Sequence, residues 1–172
     1  METKPTSHIV AGTIIAVVGV VFFLVYHFLG LSFERNFWSW IPSLITTGLI
    51  IFFVMQYGKA NNHHLTFGQL FGYGFKMTII FTLIMTLFMA IVVYFFPDFK
   101  EKSLEAMYNQ MDKQGNISEE QRDTVQSMTE KFFNISVIGG SLFINLLIGT
   151  VASLVAAAVT KKIPHTPFDN KA

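Results

Sequence analysis

Four runs of this chain, 9–29, 37–58, 77–97 and 132–160, contain no Asp, Glu, Lys or Arg and are each long enough to cross a bilayer. A hydrocarbon core about 30 Å thick takes about 20 residues of helix at about 1.5 Å each. Backbone groups in hydrocarbon find no water, so a spanning segment must close its own hydrogen bonds, and each run reads as a helix. The whole 172-residue chain is therefore expected to be a single integral membrane domain, 1–172, with an all-α fold. The expected architecture is a four-helix transmembrane bundle, with helices at 9–29, 38–58, 70–97 and 134–160 and an extracytoplasmic helical hairpin at 98–133 between helices three and four.

The composition suits that solvent. Nineteen phenylalanines accompany a charged fraction of only 13%. A net charge of +1 argues against a nucleic-acid partner, which would require a basic face. The absence of cysteine removes disulfides, thiolate nucleophiles, iron–sulfur ligation and thiolate zinc sites together. The first run exceeds a signal-peptide core, and no small-x-small cleavage site follows Leu29, so it reads as a retained helix.

Four spans put both termini on one side. The termini and the loop between spans two and three carry six lysines against two acidic residues, whereas the other two loops carry six basic against nine acidic residues. Orientation follows Lys and Arg near the membrane ends rather than net charge, and those counts tie. Position decides: Lys161 and Lys162 follow the fourth span directly, while Lys113 and Arg122 lie deep in the third loop. Both termini are expected in the cytoplasm.

Local signals sharpen the boundaries. Phe37, Trp38 and Trp40 suit an aromatic belt, Pro42 falls in the first turn of the second helix, and Gly58 suits its end. Thr66 and Gln69 form a T-x-x-Q capping box that starts the third helix before Met77, so that Phe67, Phe71 and Tyr73 are expected among the headgroups. In the third loop, Leu104, Met107, Tyr108 and Met111 share one helical face. Ser118 and Gln121 repeat the capping box, and Val125, Met128 and Phe132 share a second face, expected to lie on the membrane or against the bundle. This helix is expected to run nearly straight into the fourth span, with Asn134 and Ser136 the place where a bend could fall.

Taken in order, L-T-F-G-Q-L-F-x-x-G-F-K at 65–76, F-P-D-F at 96–99, G-N-I-S-E-E-Q at 115–121 and a small-residue last helix ending in Lys161 and Lys162 resemble the bacterial four-helix membrane family of domain of unknown function 4199. The resemblance implies a bacterial inner-membrane protein of this topology. It supplies no activity, ligand or catalytic residue.

Candidate chemistry is sparse. Lys76 sits at the boundary of the third span, where its stem can snorkel to the headgroups; the competing role is an ion or anionic-ligand contact. No Asp or Glu lies within a span, which disfavours proton-coupled transport. His63 and His64 are adjacent and diverge on any regular backbone, so they make a poor metal pair, and His27 has no second in-span histidine with which to hold a haem. Gly139, Gly140 and Ser141 with His27 faintly resemble an intramembrane protease, but small residues in a packed helix are the ordinary case. Gly68 and Gly72 are expected to serve packing at the helix entry. No catalytic residue, cofactor or metal site is expected.

The positive signal is a pair of small-residue stripes, Thr78, Thr82, Thr86 and Ala90 on the third span and Ser141, Asn145, Gly149, Ser153 and Ala157 on the fourth. Equal depth in an antiparallel pair sets Thr86 opposite Asn145, with Thr46 or Thr47 as the competing partner of Asn145. Lys76, Thr82, Thr86 and Asn145 are therefore the candidate polar site. The expected function is a non-enzymatic binding, assembly or scaffold component, its partners the lipid bilayer and either another membrane protein or further copies of the chain. The alternative is a small channel or transporter formed by oligomerisation, which a polar path through Lys76, the threonines and Asn145 would favour.

Overall fold

The computed structural model describes residues 5–30, 37–114 and 119–163. Five α-helices carry the fold: α1 (His8–Phe28), α2 (Ile41–Ala60), α3 (Phe67–Phe95), α4 (Pro97–Gln114) and α5 (Glu119–Val159), with a short 3-10 turn, Phe37–Trp40, leading into α2. No strand occurs among the described residues. Helices α1, α2, α3 and α5 are each long and apolar enough to cross a membrane.

Each boundary has a local cause. Ser7 caps α1 by accepting from the Val10 N–H, and Pro42 lies in the first turn of α2. The capping box at α3 is complete: Thr66 Oγ1 accepts from Gln69 N at 3.3 Å, and Gln69 Oε1 accepts from Thr66 N at 2.8 Å. Helix α3 therefore begins at Phe67, before the expected residue 70. It stops at Phe95 because Pro97 drives the preceding residue out of the helical region, and Phe96 is extended at φ −121 and ψ 84. The second span starts in the 3-10 turn rather than as α-helix at residue 38. The Ser118 capping box lies outside the described residues.

As expected, the helix through Asn134 and Ser136 continues into the fourth span, and α5 runs unbroken for 41 residues, about 60 Å. Tyr73 is buried, stacks on Tyr57 with ring centroids 4.0 Å apart, and donates its hydroxyl to the Thr6 carbonyl at 2.9 Å. Gly68 and Gly72 do not pack at the helix entry, since a side chain built at either would meet nothing within 4 Å.

Helix α3 is the centre of the bundle, packing along α5 and against α1, while α2 packs on α5 and α3 and touches α1. Close approach is possible because the contact residues are small. A β-carbon at Gly149 would collide with Thr78, and one at Gly12 would lie 2.7 Å from the Met77 carbonyl oxygen. The main core gathers at the end of the bundle that carries the α2–α3 turn, around Ala11, Ile15, Ile50, Val54, Leu70 and Met77. A second cluster, Val92, Val93, Phe99 and Phe133, lies at the α4 end. At the α2–α3 end the chain leaving α5 is tied down: Ile163 N donates to the His63 carbonyl at 2.9 Å, and His63 Nδ1 lies 3.0 Å from the Lys161 carbonyl.

Candidate functional site

Between the two apolar clusters the bundle is hollow. A cavity of about 400 Å³ is bounded by all five helices and the 3-10 turn. Its walls follow helical spacing: Gly19, Phe22, Phe23 and Tyr26 on α1; Ser39, Ser43 and Thr46 through the turn into α2; Phe81 and Met85 on α3; Asn145 and Ile148 on α5. Phe99 and Ser103 of α4 complete it at the far end. Gly19, Thr46 and Asn145 lie near the middle of their uncharged runs and Tyr26 and Ser39 near the ends, so the cavity extends from mid-bundle to the α4 end.

Its floor is one helical turn below its walls. Four residues on from Thr46 is Ile50, four before Gly19 is Ile15, and four before Phe81 is Met77, and all three are 0% exposed. Ala152, four on from Ile148, is 2% exposed. Continuous van der Waals packing of this kind leaves no room for water. The α4 end is edged by aromatic rings, with Phe23 packed edge-on against Phe88 at 5.2 Å and tilted against Phe99 at 5.9 Å.

The expected site residues are dispersed. Asn145 lines the cavity, and its Nδ2 donates to Ser141 Oγ one turn earlier at 3.2 Å, so the expected bond to Thr86 is not formed. The hydroxyls of Thr82 and Thr86 are buried with no hydrogen-bond partner. Lys76 is exposed on α3, away from the cavity. The contact predicted for the two stripes occurs further along them. Thr78 and Ser153, related by the same antiparallel offset as Thr86 and Asn145, have hydroxyl oxygens 3.3 Å apart, and Ser153 Oγ donates to the Gly149 carbonyl at 2.7 Å. With the serine proton committed there, Thr78 is the donor to Ser153. Thr46, named as a competing partner of Asn145, faces the same cavity.

Sequence reasoning missed Ser39 and Ser43. Their signal is the spacing 39, 43, 46, which sets three hydroxyls on one helical face of an otherwise apolar run. His27, weighed above with Ser141, packs its ring among Phe23, Phe28 and Phe99, with centroids 6.0 to 6.3 Å away. No group of three metal-ligating side chains occurs among the described residues.

Four apolar helices of spanning length around a cavity with no charged side chain among its described lining residues define a multi-pass membrane protein. More narrowly, the chain belongs to the family described as Protein of unknown function (DUF4199), with the match running over residues 11–162. Nothing matches the chain among curated proteins or among solved structures.

Proposed function

We propose that the chain is a non-enzymatic binding and assembly component of the bacterial inner membrane, with both termini in the cytoplasm and α4 outside. In this reading α4 and the leading part of α5 form the outer hairpin, presented to a membrane-protein partner or to another copy of the chain. The observation that carries it is on α5. Val125, Met128, Phe132 and Ile135 recur at helical spacing and are 38%, 59%, 48% and 72% exposed. Val125 and Met128 precede the charged residues Glu130 and Lys131, and so lie beyond the uncharged run. This apolar side is not covered by the chain itself; Phe133, the next residue round the helix, packs against Phe99 instead. Where Val125 and Met128 stand clear of the bilayer, they have unused hydrophobic free energy of about 25 cal/mol per Å², which a partner surface can realise.

Meanwhile α4 holds the stripe in place. Tyr108 donates to Glu130 Oε1 at 3.3 Å, and Lys100 Nζ donates to the Glu130 carbonyl at 3.4 Å. The channel alternative is less well supported by the geometry, because the floor of Ile15, Ile50 and Met77 is dry, Lys76 is turned outward, and Thr82 is buried within a single copy. A photoreactive residue placed at Met128 or Phe132 in cells, followed by mass spectrometry, tests the proposal. Crosslinks to one protein or to a second copy, lost in a Val125→Glu variant, support it. Labelling no different from that of the lipid-facing Leu87, together with ion flux through the purified protein in vesicles, would sink it.

A further inference from the structure

We propose that the cavity is a binding site for an uncharged amphiphile from the bilayer, a hydrocarbon chain headed by hydroxyl or ester groups, with the chain against Phe22, Phe81, Met85 and Ile148 and the head reaching Asn145 and the α2 hydroxyls. This does not depend on what docks at α5. Three observations converge on it. The first is volume: about 400 Å³ falls within the range of ligand pockets, where mostly apolar walls and a few convergent polar groups are the rule.

The second is the state of Asn145. An amide offers two donors and an acceptor, and here only one donor is used, on Ser141. Asn145 lines the cavity at mid-bundle depth, where the surrounding solvent is hydrocarbon and an unmet polar group is costly. A carbonyl or hydroxyl on the ligand meets that requirement, and a bare alkyl chain does not.

The third is charge. No Lys, Arg, His, Asp or Glu is among the lining residues described, so an ionised head would be buried without a counter-charge. That selects a neutral glyceride over a fatty-acid anion of equal chain length. The packed floor closes the cavity toward the α2–α3 end. Met85 adds an adaptable wall that fits chains of differing shape.

The experiment uses the full chain in nanodiscs with a diazirine-bearing monoacylglycerol, mapped by mass spectrometry. Labelling is expected on the segments around Phe22 and Ser43, competed by monoolein and not by ionised oleate. Asn145→Leu should reduce labelling about tenfold, the value of one hydrogen bond to a buried group. Should that variant fail to fold, Ser43→Ala and Thr46→Val, milder changes on the cavity wall, should each reduce labelling as well. Labelling spread evenly over lipid-facing residues such as Leu83 and Leu87 would overturn the proposal. So would equal competition by oleate, or wild-type labelling in all folded variants.

Discussion

Two threonines one turn apart on α3 behave differently. Thr78 donates to Ser153, whereas the hydroxyl of Thr82 is buried without a partner. Replacing Thr78 with Val removes a satisfied bond and should cost about 0.6 to 2 kcal/mol. Replacing Thr82 with Val removes an unmet polar atom at nearly constant shape, and should leave stability unchanged or raised. Thermal unfolding in detergent gives the comparison, and a Thr82→Val loss as large as that of Thr78→Val would contradict it. The sequence showed which residues line the α3–α5 contact and at what offset, because spacing along two helices carries that information. It did not show which polar pair would bond. A side chain as short as Asn can turn to its own helix, and Asn145 does so on reaching Ser141.

At the scale of the helices, contact distance is set by what is missing from a side chain. Gly149 lies against Thr78, so Gly149→Ala should push α3 from α5 and destabilise the bundle by about 1 to 3 kcal/mol. Gly68→Ala, open on all sides, should instead be tolerated or mildly stabilising through helix propensity. An equal effect of the two changes would refute the packing argument. The α4–α5 contact has a titratable element. Partial loss of hydration, then the negative charge of Glu130 and its hydrogen bond, raise the Tyr108 phenol above its ordinary 10.0. A raised value means the protonated phenol is favoured in the folded form, so the contact holds below that pH and is lost as pH climbs through the displaced value. Glu130→Gln should lower the phenol's midpoint in an absorbance titration; an unmoved midpoint would remove Glu130 from the account. Helix ends were legible where a cap or proline sits, as at Thr66, Gln69 and Pro97. Continuity through Asn134 and Ser136 was legible too, in the helical spacing that runs on from Val125, Met128 and Phe132 into the fourth uncharged run.

Over the whole molecule, the spans were read directly from four uncharged runs, because hydrocarbon imposes its length on any helix that crosses it. The cavity could not be read that way. A void is a property of how walls from five helices fail to meet, and no single run of sequence carries it. Orientation is open to experiment: a cytoplasm-dependent reporter fused after Ala172 should be active, and the same reporter inserted at Gly115 should be silent. Activity only at Gly115 would reverse the sidedness, and with it the face on which the cavity lies.

The unbroken length of α5 has a mechanical consequence. It is about 60 Å of continuous helix, and Ile163, just past its Val159 end, is fastened to His63 of the α2–α3 turn. One covalent element thereby joins the Met128 end, beside α4, to the opposite end of the bundle.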